Sequence, residues 1–136
     1  MTDTPPPYVE GVSPALAHMG IEMTGWSAEV ARFEADITPF MANRSGIPHG
    51  GIYAMMLDTA MGYSGAFTGD AESKIMTLTL SLNVNYLSRP KGIRLIAEGR
   101  KTGGGARTFF SDGRLFDETG EMIATAQGTF RVRGDR

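Results

Sequence analysis

The chain contains no cysteine, and its 136 residues include only two histidines, His18 and His49. Without thiols it can form neither disulfides nor thiolate metal sites, and it has no cysteine nucleophile. Two histidines are too few for a histidine-rich metal centre. We therefore expect a protein that holds no metal ion.

An excess of one charge sign and a long apolar run are also missing. The chain has 13 Lys and Arg against 15 Asp and Glu, a formal net charge of −2. This balance gives no electrostatic reason to expect a nucleic acid or a membrane surface as a partner. No apolar segment has the length that crosses a bilayer, and the N-terminus lacks the pattern of a signal peptide. We expect a cytoplasmic protein.

Proline and glycine divide the chain into its elements. Three prolines at positions 5–7 predict a flexible lead-in over residues 1–12, which leaves 13–136 as a single domain. Ser13 as the N-cap and Pro14 at the first helical position predict one short helix. Residues 21–38 predict a pair of strands with a turn or bulge at 25–27.

One apolar helix and several strands follow. Residues 51–65 are apolar on nearly every side, which predicts a buried helix. Residues 76–86 alternate strictly, and we expect the even-numbered positions to face the core: Leu78, Leu80, Leu82 and Val84. Strands are also predicted at 93–101, 106–116 and 121–132. The economical arrangement is an α+β fold, with a curved antiparallel sheet wrapped around one long central helix.

The most informative stretch is the start of that helix. It begins at His49-Gly50-Gly51, where two glycines leave backbone N–H groups open to close approach. These amides and the helix dipole favour an anion or a developing negative charge. Asp58 is the one acidic residue on this helix, and a carboxylate among apolar residues is costly unless it is hydrogen-bonded or functional.

These residues and two later segments carry a resemblance to a known family. The chain resembles the hotdog-fold thioesterases of the PaaI-like acyl-CoA thioesterase group at Asn43, His49-Gly50-Gly51, Leu57-Asp58, Asn85-Tyr86-Leu87-Ser88-Arg89-Pro90 and residues 120–130. The resemblance implies a hotdog fold and hydrolysis of acyl-CoA thioesters without a metal or organic cofactor. It also implies a homodimer or homotetramer with active sites between subunits.

The resemblance implies a role for each matching residue. Asp58 matches the catalytic carboxylate, acting as general base or nucleophile, and the Gly50 N–H matches the donor that polarises the thioester carbonyl. Asn43 matches a side chain that positions water or substrate, and His49 matches one that holds the loop and helps to place the thioester. Two further candidates for substrate contact are Gly51 and Thr79, which lies near a strand position where some relatives carry a serine. The candidates for the CoA phosphates are three basic residues, Arg89, Lys91 and Arg107.

Other interpretations of these residues remain open. Asn43 could instead form an Asx-turn, His49 could anchor its loop, and Asp58 could be a buried structural carboxylate. The expected substrate is a medium-chain or aryl-acetyl CoA thioester. The alternatives are a non-catalytic module that binds acyl-CoA or another hydrophobic ligand, and a hydratase of the same fold.

The spacing of two residues predicts an assembly. Gly50 and Asp58 are eight residues apart, which is about 12 Å along a helix at ~1.5 Å per residue. One thioester cannot touch both within a single chain. We therefore expect an obligate dimer with two shared sites.

Overall fold

The computed structural model describes residues 9–133, and most of the expected lead-in, residues 1–8, lies outside this range. The described part contains two α-helices, a 3₁₀ turn at Pro39–Met41 and six strands. The helices are α1 (Pro14–His18) and α2 (Gly50–Ser64). The strands are β1 (Glu22–Ser27), β2 (Val30–Asp36), β3 (Thr77–Tyr86), β4 (Arg94–Gly104), β5 (Thr108–Asp117) and β6 (Met122–Val132).

The six strands form one antiparallel sheet in the order β1-β2-β4-β5-β6-β3. Helix α2 lies on one face of this sheet, and the core is the layer between them. Its largest fully buried side chains include Phe33, Met56, Leu57, Met61, Leu95, Leu115 and Phe130. This is the hotdog architecture expected above: a sheet buries one face, and a helix that is apolar all round covers it.

Glycines under the helix let it lie close to the sheet. A Cβ atom added to Gly99 on β4 would collide with the backbone of Ala60, and one added to Gly113 on β5 would press into Met61. These two glycines are direct cross-strand partners. Because neither has a side chain, the backbone of α2 approaches the centre of the sheet more closely than any other residue would allow.

The short helix is confirmed. Of the turn or bulge expected at 25–27, the turn is wrong, whereas the β1–β2 register does shift between Met23 and Gly25. Ser13 caps α1 through its side-chain oxygen, which accepts from the Leu16 N–H. Strand β1 continues through Trp26, which is buried, and the chain turns after Ser27, with Glu29 at a φ of 71°. Burial of the Trp26 ring against the end of α2 outweighs the turn tendency of the preceding glycine.

Strand β3 departs from the predicted pattern of facing residues. Leu82 and Val84 pack against the core, but Leu78 and Leu80 are 50% and 55% exposed, so the expectation that they are buried is wrong. The cause is a β-bulge. Thr79 pairs with Phe130 and Ser81 pairs with the adjacent Thr129, which leaves Leu80 without a partner on β6. A bulge inserts one residue and shifts the phase of the strand. Thr79 therefore faces α2.

β3 is also an edge strand. Within residues 9–133 it pairs with β6 only, and it carries half-exposed Leu78 and Leu80, with half-exposed Met76 just before it. An edge of this length presents a row of unpaired backbone N–H and C=O groups with apolar side chains beside them. Such an edge is a template for another strand.

A buried carboxylate fixes the turn that follows β3. Asp117 is 1% exposed and accepts hydrogen bonds from the N–H groups of Lys91, Gly92, Thr119 and Glu121 and from the Thr119 hydroxyl. Burial alone raises the pKa of Asp117, but these hydrogen bonds outweigh it and hold the pKa well below the ordinary value. The turn at 89–92 is thereby tied to the β5–β6 turn.

Candidate functional site

The loop before α2 is held together by Asn43. Its side-chain Oδ1 accepts from the N–H of Ser45 at 2.8 Å and of Ile47 at 3.3 Å, and its own N–H donates to the Ile47 carbonyl at 2.7 Å. This is the Asx-turn left open above. The oxygen of Asn43 is therefore committed to the loop, and its Nδ2 amide is the part of the side chain that a ligand could use.

His49 is the N-cap of α2. Its Nδ1 atom accepts from the Gly51 N–H at 2.8 Å, and its carbonyl accepts from the Ile52 N–H at 2.9 Å. Nδ1 must be unprotonated to accept, so the ring carries its proton on Nε2. Among residues 9–133, no acceptor lies within hydrogen-bond reach of the Gly50 N–H. Of the three amides in the first turn, only that of Gly50 has no acceptor in the described part of the chain, whereas the Gly51 amide donates to His49.

Tyr86, at the end of β3, covers the same glycine. Its hydroxyl donates to the Gly50 carbonyl at 3.1 Å, and a Cβ atom added to Gly50 would lie 3.1 Å from Cε1 of the ring. Sequence reasoning did not select Tyr86 as a site residue. The available signal was an aromatic residue at the end of a strand, on the side of the strand that faces the helix. Which side faces the helix depends on the register of the strand, which the sequence does not show.

The acidic group lies two turns further along α2. Asp58 is half-buried, and its Oδ1 atom accepts from the Thr79 hydroxyl at 2.7 Å. Its Oδ2 atom accepts no hydrogen bond within the described part of the chain. The bulge at Leu80 creates this contact, because without it Thr79 would point away from the helix. The carboxylate is thus oriented by one oxygen and open at the other.

Helix α2 and strand β3 run antiparallel and meet at three levels. Gly50 meets Tyr86, Asp58 meets Thr79, and Gly62 lies against Thr77, whose Oγ1 is 3.4 Å from a Cβ atom added to the glycine. The first two levels are about 12 Å apart along the helix. One chain therefore brings Asp58 together with Thr79 but leaves the free amide of Gly50 at a separate level.

A cavity of about 170 Å³ opens beyond the third level. Gly62, Tyr63 and Trp26 form its inner wall, and the segment 66–77 closes it from outside. The Trp26 indole N–H donates to the Tyr63 carbonyl, and the two rings meet edge to face at 5.0 Å. An ion pair between Lys74 and Glu10, 2.9 Å long, lies at the polar side. Engineered apolar cavities of ~150 Å³ hold one benzene ring, so this space suits a compact apolar group.

The three basic candidates do not form one cluster. Arg89 and Lys91 are exposed in the turn after Tyr86, and Lys91 is paired with Glu121 at 3.3 Å. Arg107 is exposed just before β5, at the opposite end of the sheet. One chain therefore offers two basic positions at one end of β3 and a third at the other end.

Two other kinds of feature are absent from residues 9–133. No group of three or more His, Cys, Asp or Glu side chains is arranged to hold a metal ion there. No helix in the same range is long and apolar enough to span a membrane.

Solved structures of other proteins share the fold. Over 88% of the chain, the fold matches a thioesterase family protein from Silicibacter pomeroyi with a TM-score of 0.76, 21% identity and 89% coverage of that protein. A thioesterase from Haemophilus influenzae gives 0.74 at 17% identity, covering 87% and 81% of the two chains. The BH2602 protein of Bacillus halodurans, solved with CoA, gives 0.77 at 25% identity, covering 92% and 82%. No curated protein matches the sequence.

The family follows from the sequence itself. Residues 45–124, more than half of the chain, match the model of the thioesterase superfamily. The chain belongs to that superfamily, and the resemblance to hotdog-fold thioesterases is confirmed. The matched segment contains the helix start, Asp58, Thr79 and Tyr86.

Proposed function

We propose that this protein is an acyl-CoA thioesterase of the PaaI-like type, which hydrolyses a medium-chain or aryl-acetyl CoA thioester to the free acid and CoA. The observation that carries the proposal is the pair of groups on α2: a carboxylate oriented by Thr79 and a helix-start amide with no partner among residues 9–133. Membership of the thioesterase superfamily and the likeness to a protein solved with CoA support it.

The two groups act on one thioester only if two copies supply them. β3 offers the surface, because its free edge carries Leu78 and Leu80 exposed. Leu80 has no partner on β6, so Asn83 lies midway between Thr79 and Tyr86 among the paired residues of this strand. If two β3 strands pair antiparallel around that midpoint, Tyr86 and Gly50 of one protomer come opposite Thr79 and Asp58 of its partner. The same pairing covers the exposed leucines.

The chemistry follows from the two groups. Asp58 either takes a proton from water as it attacks the thioester carbon or attacks that carbon itself; in the second route water then hydrolyses the acyl-enzyme anhydride. The carbonyl oxygen becomes negative beside the Gly50 N–H, a donor fixed before the reaction begins. The carbon–sulfur bond breaks and CoA leaves as a thiolate, which takes the proton held by Asp58 in the first route and a proton from water in the second. Losing one such donor typically costs about 2.7–4 kcal/mol of transition-state stabilisation.

The remaining site residues have supporting roles in this proposal. Asn43 and His49 hold the loop and the helix start, and the Asn43 Nδ2 amide is free to donate to substrate or water. Gly51 lines the approach to the Gly50 amide. The acyl group occupies the cavity beyond Gly62, one helical turn past Asp58. No cofactor is required.

The CoA phosphates need cations at the mouth of the site. In the antiparallel dimer, Arg107 of one protomer lies at the same end of the joined sheet as Arg89 and Lys91 of its partner. Arg89 and Arg107 would thus contribute from different chains. Lys91 would exchange its contact with Glu121 for a phosphate.

The central test is release of free thiol from a panel of acyl-CoAs that vary in chain length and aromaticity. Asp58→Asn keeps the size of the side chain but removes the base or nucleophile, so turnover should fall at least 100-fold while CoA esters still bind. Asp112→Asn, an exposed carboxylate on β5, is the matched control and should retain full activity. Unchanged hydrolysis by Asp58→Asn would remove this residue from the mechanism.

The alternatives predict different results in the same assay. A non-catalytic binding module would bind CoA esters but release no thiol in the unsubstituted protein. A hydratase would add water to an enoyl-CoA and leave the thioester intact.

The dimer has its own test, because a chain without cysteine allows specific cross-linking. Asn83→Cys places a thiol beside the proposed two-fold axis, within the ~4.4–6.8 Å Cα separation of a disulfide. Asp112→Cys is the control: its strand is two strands in from the edge, so its two copies would be about 24 Å apart at ~4.8 Å per strand. Only Asn83→Cys should form a covalent dimer on oxidation. A monomer that keeps full activity on dilution would refute the shared site.

A further inference from the structure

We propose that Tyr86 is a positioning residue that holds the free Gly50 amide in its productive orientation. This inference rests on the proposed function, because it assigns a purpose to a contact at the same helix start. One side chain both donates to the Gly50 carbonyl and lies against Gly50 where a Cβ atom would stand.

Two adjacent glycines create a difficulty for a site of this kind. Glycine is the least restrained residue, so a Gly50-Gly51 helix start would sample many backbone conformations if left alone. A donor for a developing negative charge is effective only if its direction is fixed beforehand. Some other part of the protein must therefore hold the glycines.

The structure holds the peptide unit that joins Gly50 to Gly51 from two sides, and this unit is bonded to the Cα atom next to the free Gly50 N–H. His49 accepts the Gly51 N–H, which fixes that amide from the loop side. Tyr86 donates to the Gly50 carbonyl from the strand side, and its ring lies so close that a Cβ atom at position 50 would be 3.1 Å from Cε1. A glycine at position 50 thus lets the ring lie against the backbone without displacement, and both contacts leave the Gly50 N–H itself unobstructed.

Tyr86 is well placed for this task because its own backbone is anchored. It pairs with fully buried Ala124 on β6, and the next residue, Leu87, donates its N–H to the Ile123 carbonyl at 2.8 Å. Yet its side chain is 56% exposed, so burial of the ring contributes little to the core. The ring is therefore better explained by what it holds than by core packing.

The test uses a neighbouring tyrosine as its control. Tyr86→Phe keeps the ring and removes the hydroxyl that donates to Gly50. Tyr53→Phe removes a hydroxyl on a ring 6.3 Å away that has no hydrogen-bond partner within residues 9–133. Loss of one neutral hydrogen bond should lower kcat by about 5- to 10-fold in Tyr86→Phe, with KM unchanged within about twofold. Tyr53→Phe should retain the kcat of the unsubstituted protein.

A second readout does not depend on activity. The ¹⁵N backbone order parameter of Gly50 should be near ~0.85 in the unsubstituted protein and in Tyr53→Phe, and clearly lower in Tyr86→Phe. An unchanged order parameter, an unchanged kcat or a loss confined to KM would each overturn the positioning role. If the unsubstituted protein releases no thiol from any acyl-CoA while the order parameter falls as expected, the proposed function fails and the contact stands as structural alone.

Discussion

The buried carboxylate of Asp117 supports a stability prediction that can be worked out from individual contacts. In Asp117→Asn the side-chain oxygen can stay with Thr119 and Glu121. The new amide group then points at the N–H groups of Lys91 and Gly92, which reach the present Oδ2 at 2.7 and 2.8 Å. Two hydrogen bonds to a charged acceptor are lost and donors face donors. At about 1.5 kcal/mol for each bond, the free energy of unfolding should fall by about 3 kcal/mol.

The pH dependence has a definite sign. The folded pKa of Asp117 lies below the ordinary value of 3.8, so the ionised group stabilises the fold above that pH. As the pH falls below about 4, the unfolded chain takes up the proton first and this stabilisation is lost. The difference between the unsubstituted protein and Asp117→Asn should thus be constant above about pH 5 and should shrink in acid.

The assay is urea unfolding at fixed protein concentration, followed by fluorescence of Trp26, the only tryptophan. Asp112→Asn, in which the carboxylate is exposed, should change the free energy of unfolding by less than about 0.5 kcal/mol. Equal stabilities for Asp117→Asn and the unsubstituted protein at pH 7, or a difference that grows in acid, would refute the reasoning.

Three further predictions concern α2 and its contacts. Gly99→Ala should lower the free energy of unfolding by about 1–3 kcal/mol in the same urea assay, because its methyl group would meet the Ala60 backbone; an unaffected midpoint would mean that the helix can move away freely. Thr79→Val should lower kcat about tenfold through loss of the 2.7 Å bond to Asp58, whereas Thr79→Ser should keep it; equal rates would exclude this role. Tyr53→Phe should raise the free energy of unfolding by about 1 kcal/mol in the urea assay, because it removes a buried hydroxyl that has no partner within residues 9–133. A clear decrease in the free energy of unfolding would indicate a partner outside the described residues.

The elements themselves could be predicted from the sequence. Helix α2, predicted at 51–65, lies at Gly50–Ser64, and the capped turn of α1 was expected from Ser13 and Pro14. These segments carry local signals, namely an apolar run of helical length and an N-cap. These elements form as predicted because the packing of the core favours the same local conformations as the sequence.

The facing of residues on β3 could not be predicted. Strict alternation favours a regular strand with four apolar residues inward, but one unpaired residue, Leu80, shifts the phase of everything before it. Alternation carries no information about the register of the partner strand. For the same reason Thr79 could only be matched loosely, and Tyr86 was not selected.

Competing roles at the helix start could be separated only with coordinates. The sequence left Asn43 open between a functional and a turn-forming role, and its oxygen makes the turn. The residue types alone also gave no reason to prefer the amide of Gly50 over that of Gly51, and only the family resemblance selected Gly50. The structure favours Gly50 because the His49 ring accepts the Gly51 N–H. The residue types alone do not show this hydrogen bond.

The extra residue in β3 has a consequence for how this strand can change. Leu80 is opposed to no residue of β6, so its deletion would remove no ladder partner and would leave Thr79 pointing at Asp58. A substitution elsewhere in the strand alters one contact. A shift of register that removed the bulge but kept Leu80 would instead place Leu80 beside Asp58, where Thr79 now lies. Deleting Leu80 is therefore a smaller change to the site than converting β3 into a regular ladder that keeps this leucine.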